Sequence, residues 1–170
     1  MKTIAMCMGL ALFVMASGAR AETIWNEQSP STCMADKNNG QRAVVWSRNG
    51  NSDQNWTVNP VAGSWGFTLS NASGTGCLGP ASASDPGRLG DALYMVDCSR
   101  QFQWVVLGNG FSCSNYVTLN SFMEYLNTGD RTKVFAIGVA GASASKPPTS
   151  GQGLVLWTLT GEANQRWCRQ

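Results

Sequence analysis

The 170-residue sequence contains no histidine. That removes the nucleophilic triads that use imidazole as a base and the metal sites that use it as a ligand. Helical signals are nearly missing as well, since no window carries a sustained apolar stripe at 3.6-residue spacing. No Cys-x-x-Cys pair suggests a redox or zinc motif. A Gly-x-Ser-x-Gly nucleophile turn, a phosphate-cradling glycine loop and a metal-ligand cluster are all lacking. Basic runs are absent too, which leaves no electrostatic case for nucleic acid or an anionic membrane. Ten carboxylates keep a two-carboxylate glycosidase formally open, but nothing marks a nucleophile. The expectation is no catalysis, no cofactor and no metal.

Long apolar runs are limited to one. Ile4 to Met15 follows Lys2 and precedes Ala19-Arg20-Ala21, and it is shorter than the roughly 18 residues a membrane span requires. The pattern predicts a secretory signal peptide over residues 1–21 and no membrane insertion. Export makes the protein extracellular, or periplasmic in a bacterium. Of the 12 basic residues, Lys2 and Arg20 belong to the leader, so the remaining ten balance the ten acidic ones. A neutral surface calls for a neutral partner, or one read by shape and hydrogen bonds. Past the leader stand Cys33, Cys77, Cys98, Cys113 and Cys168. Their odd number leaves a free thiol, a mixed disulfide or a link to a second chain.

What is present is a series of short β-branched or aromatic runs at 43–46, 66–69, 92–96, 116–119, 133–137 and 154–157, separated by Gly, Ser, Asn and Thr turns. Many short strands with frequent turns read as an all-β barrel or sandwich. The chain also repeats itself. Trp56 and Trp104 are 48 residues apart, as are Cys77-Leu78 and Tyr125-Leu126. Trp46 precedes Trp56 by ten, and Trp157 precedes Trp167 by ten. Three units follow, near 22–60, 61–108 and 109–170. Each closes on a related phrase: Gln54-Asn55-Trp56, Gln101-Phe102-Gln103-Trp104 and Gln165-Arg166-Trp167.

Those phrases, with Gly76-Cys77-Leu78-Gly79 followed by Cys98, resemble the ricin B-type lectin family over almost the whole mature chain. The resemblance implies a β-trefoil of residues 22–170 with three pseudo-threefold repeats. The physical logic agrees, because one four-stranded unit cannot bury its apolar face alone. The closing tryptophans are expected to meet at the centre, each burying roughly 150–250 Å². The glutamine two residues earlier is expected along the same strand, bonded to the turn backbone. The family pattern also implies a Cys77–Cys98 disulfide; Cys113 and Cys168, expected to flank neighbouring barrel strands in unit three, are the second candidate pair, and Cys33 stands at the Cys-Leu position of unit one without a matching partner. Residues 138–153 read as a long exposed loop. Of the sequons at Asn55 and Asn71, only Asn71 looks usable, in a eukaryotic host.

By that resemblance the protein binds a glycan or glycoprotein. Each pocket takes an acid or amide after the Cys-Leu position, an aromatic platform and a polar residue beside the Gln-x-Trp phrase. In unit three the candidates are Asn127, Trp157, Asn164 and Gln165; in unit one they are Asp36, Trp46, Asp53 and Gln54. Unit two has Gly79-Pro80 where an acid is needed. Burial in the core remains open for Trp46 and Trp157, and turn formation for Asp36 and Asp53. The rival reading is a trefoil whose pockets have decayed, acting as a protein-binding, delivery or adhesion subunit in a toxin-like complex.

Overall fold

The computed structural model describes residues 21–37, 42–72, 76–81, 87–100, 102–107, 110–122 and 134–170. Within them run twelve strands: β1 (Ile24–Asn26), β2 (Thr32–Asp36), β3 (Ala43–Ser47), β4 (Trp56–Pro60), β5 (Phe67–Asn71), β6 (Cys77–Pro80), β7 (Leu93–Val96), β8 (Trp104–Leu107), β9 (Val117–Ser121), β10 (Phe135–Val139), β11 (Leu154–Thr158) and β12 (Arg166–Arg169). All six strand-like runs of the sequence are strands. The other six are short: β1, β2, β4 and β12 mix in polar residues, β6 carries Gly and Pro, and β8 is a wholly apolar run of four.

Six strands close a barrel in the antiparallel order β1-β12-β9-β8-β5-β4. Glu22 and Trp56 seal it by exchanging both backbone bonds, at 2.7 and 2.8 Å. The hairpins β2-β3, β6-β7 and β10-β11 cap one end. Bridges join these caps in a triangle: Arg42 with Tyr94, Ala92 with Val155, and Val44 with Gly153. This is the β-trefoil architecture, and closure removes the edges that would otherwise invite strand addition.

Trp56, Trp104 and Trp167 are fully buried in one core. A buried indole N–H needs an acceptor, and each finds one on its own unit's second strand. Trp56 Nε1 donates to the Met34 carbonyl, Trp104 Nε1 to Leu78 and Trp167 Nε1 to Ile137, all at 3.0 Å. The triple makes Met34, Leu78 and Ile137 equivalent. Hence the counterpart of Leu78 in unit three is Ile137 and not Leu126, which lies outside the described residues. The connection 122–134 between β9 and β10 is longer than its counterparts 27–31 and 72–76, so a constant spacing from the tryptophan misplaces the strand.

The glutamines pin their units as expected, but from a different place. Gln54 and Gln165 end single 3₁₀ turns, Ser52–Gln54 and Ala163–Gln165, just ahead of β4 and β12. Gln54 Oε1 accepts from the backbone of Asn49 and Gly50 while Nε2 donates to the Ser47 carbonyl. Gln165 repeats this with Thr160, Gly161 and Thr158. In unit two the position belongs to Phe102, whose ring centroid lies 4.9 Å from that of Trp104; Gln101 is outside the described residues.

Both expected disulfides are present, Cys77–Cys98 and Cys113–Cys168. Cys33 is a free thiol with no exposed surface, which removes the link to a second chain. Gly138 and Val139 belong to β10, so the loop proper is 140–153. It is laid on unit one, through Val45 N to the Gln152 carbonyl (2.9 Å), Gly151 N to the Val45 carbonyl (2.8 Å) and Gln28 Nε2 to the Ser143 carbonyl (2.8 Å). The Asn71 sequon is also closed: Asn71 is buried, its Nδ2 donates to Asp36 Oδ2 at 2.9 Å, and Ser73 lies outside the described residues. The leader lies outside them too.

Two predictions follow from the core. Trp104→Ala should cost about 3–5 kcal/mol in urea unfolding, whereas Trp65→Ala, removing an indole that is 93% exposed on a turn, should change stability by no more than about 0.5 kcal/mol. Burial pushes the Cys33 thiol from 9.0 up to about 12. The unfolded chain therefore ionises first, and Cys33 opposes folding progressively as pH rises from 9.0 towards 12. At pH 8 a thiol reagent should label Cys33 negligibly in the native protein and fully in the denatured, unreduced protein.

Candidate functional site

The cap hairpins decide what faces outward. Along β10 and β11, Ile137, Val139, Leu154 and Leu156 enter the core. The pleat turns their neighbours Gly138, Val155 and Trp157 the other way, with Gly138 opposite Val155 and Ala136 opposite Trp157. On that face lies a cavity of about 580 Å³. Trp157 stands on its wall with 49% of its surface exposed. Gly138 forms the floor: a Cβ there would meet Trp157 Cβ at 3.5 Å and Gln165 Cγ at 3.7 Å, ordinary contacts that would nonetheless fill space.

The turn after β11 supplies the polar wall. Thr160, Glu162, Asn164 and Gln165 all line the cavity. Gln165 is committed to the backbone bonds described above. Asn164 differs: it is 6% exposed, and its Oδ1 has no hydrogen-bond partner. Its backbone carbonyl accepts from Asn26 Nδ2 at 3.1 Å, which fixes the residue in place. A buried acceptor left open costs about 1–3 kcal/mol, and Oδ1 is enclosed beneath the cavity wall that Asn164 helps to line. The structure thus brings together Trp157, Asn164 and Gln165. Asn127 lies outside the described residues, and the register set by Ile137 puts Gly138 at the position assigned to it.

Sequence reasoning missed Arg42, Ser143, Thr160 and Glu162, which share the cavity. Arg42 belongs to unit one and arrives through the triangle of bridges, which leaves no local sequence signal. Thr160 and Glu162 lie just ahead of the Asn164-Gln165 pair and were readable as its turn.

Unit one is arranged differently. Asp36 shares a face of β2 with Met34 and the core, and Trp46, opposite Cys33, lies on the other face. A one-residue offset reverses the direction of a strand side chain. Asp36 is accordingly buried against Asn71 rather than beside Trp46. Lys37 occupies the outward face instead: Nζ stands 4.5 Å from the Trp46 ring centre and 2.7 Å from Asp53 Oδ2. Lys37 covers the Trp46 ring and pairs with Asp53 Oδ2, Asp53 Oδ1 is buried without a hydrogen-bond partner, and Gln54 is bound to its turn. In unit two, Val96 holds the position of the two tryptophans, and a Cβ on Gly79 would meet Val96 Cγ2 at 3.1 Å and Phe102 Cβ at 3.2 Å. That face is filled.

No family model matches the sequence, and no curated protein matches it. Solved structures do match the fold. A designed threefold-symmetric protein, ThreeFoil, is similar with a TM-score of 0.68 at 18% identity, covering 88% of this chain and 96% of that one. A Macrolepiota procera ricin B-like lectin in complex with lactose gives a TM-score of 0.66 at 19% identity, covering 91% and 96%. A mosquitocidal holotoxin gives a TM-score of 0.65 at 14% identity, covering 89% of this chain and only 16% of the longer one. At these identities what is shared is the β-trefoil.

Proposed function

We propose that this protein is a secreted carbohydrate-binding module that holds the end of a glycan in the unit-three cavity, by binding without catalysis. One observation carries the reading: a half-exposed indole and an asparagine whose amide oxygen is buried and unpartnered line the same cavity. A pyranose has an apolar face of C–H groups and an edge of hydroxyls. Trp157 offers a platform for the first, and Asn164 Oδ1 accepts from the second. Glu162 and Thr160 add polar capacity around the same edge. Lactose bound to the Macrolepiota lectin lends support by fold. Two disulfides suit an oxidising compartment. Affinity per site is expected to be weak, because the cavity is small and wet.

The second reading is a delivery or adhesion subunit in a toxin-like complex. The holotoxin match favours it, since there the trefoil is a small part of a longer chain. A glycan array separates the two. Binding should appear, and Trp157→Ala and Asn164→Ala should each weaken it by about tenfold or more with unchanged thermal unfolding, whereas Trp46→Ala should leave it intact. No glycan bound on a broad array, together with co-purification of one partner protein, would move the assignment to the second reading. Sugar release during incubation would restore a glycosidase.

A further inference from the structure

We infer that the glycan is acidic, its carboxylate meeting Arg42 while a neighbouring sugar ring rests on Trp157. The inference builds on the glycan-binding reading above. Arg42 lines the cavity and is exposed, and its guanidinium lies over Gly153. A Cβ on Gly153 would fall 2.1 Å from Arg42 Nε and 2.6 Å from Nη2, so the guanidinium lies in the space that glycine leaves vacant. The bridge to Tyr94 fixes the backbone of the same residue. Among the described residues the ion pairs are Lys37–Asp53, Arg166–Glu27 and Arg169–Glu22. Arg42 takes part in none, including with Glu162 across the cavity. An unpaired guanidinium is a planar fork matched to a carboxylate.

Placement sets the length of the ligand. Gly153, just ahead of β11, and Trp157 within it stand four positions apart, about 13 Å at roughly 3.3 Å per residue. Arg42 is therefore at one end of the cavity, and Trp157 with Asn164 and Glu162 at the other. Glu162 repels a carboxylate placed at the indole end while accepting from hydroxyls there. Together the two charges orient a glycan of at least two residues, with the neutral ring on Trp157 and the acidic one towards Arg42.

The test uses the whole secreted protein and paired glycans: galactose-, glucose- and N-acetylglucosamine-terminated chains, each with a counterpart ending in sialic acid or a uronic acid. At low salt an acidic member should bind at least about tenfold more tightly than its neutral partner. That advantage should shrink as ionic strength rises and collapse towards unity in Arg42→Gln. Arg42→Lys, which keeps the charge and loses the fork, should retain only part of it and serves if Arg42→Gln unfolds. Neutral partners binding as well as acidic ones, or a preference that survives both substitutions, would overturn the acidic ligand and leave the glycan reading standing. No binding by any member would overturn both.

Discussion

Three indole N–H groups have to be satisfied in the middle of an apolar core, and the rest of the molecule is arranged around that requirement. An unmet donor there would cost about 1–3 kcal/mol. Each tryptophan meets it by reaching from the fourth strand of its unit to a carbonyl on the second, always at 3.0 Å. The bond fixes the register of the second strand, and register decides which side chains point outward. Outward positions in the three caps are therefore strictly comparable: Trp46 with Val96 and Trp157, Ala35 with Gly79 and Gly138, Lys37 with Ala81 and Ala140.

From that common frame the three units have diverged. Unit two fills its face with Val96 and Phe102, and carries a disulfide and an aromatic contact where the others have a pinned glutamine. Unit one keeps the tryptophan but spends it internally, because Lys37 stands over the ring and pairs with Asp53. Unit three has Ala140 where unit one has Lys37, so its tryptophan faces an open cavity. Ala140 in place of Lys37 leaves the unit-three indole uncovered, whereas unit two, with Gly79 and Ala81 at the same positions, is closed by Val96 and Phe102.

The architecture was legible because burial of a large side chain leaves a periodic mark. Trp56 and Trp104, the Cys77-Leu78 element and both disulfide pairings could be read before any coordinate. Half of the strands were hidden, and three of these, β1, β6 and β12, are short and carry Asn, Gly, Pro or Arg among their apolar residues. The site was less legible. Trp157, Asn164 and Gln165 stood out because they flank a core tryptophan. Asp36 misled because it stands one residue past the family position, which Ala35 fills, and on a strand that visible offset reverses the face. Leu126 misled because the unequal connection before β10 breaks the spacing that the tryptophans keep. Arg42 had no signal at all, as its place in the cavity comes from contact between caps more than a hundred residues apart in sequence.

The central claim is that one of three equivalent faces has stayed open, with Trp157 as its platform. Indole N–H resonances of the ¹⁵N-labelled protein, followed while a binding glycan is added, address it directly. The account predicts that the Trp157 signal moves in a saturable way while those of Trp46, Trp56, Trp104 and Trp167 hold still. Saturable binding that leaves Trp157 unmoved, or that shifts Trp46 in its place, would contradict it.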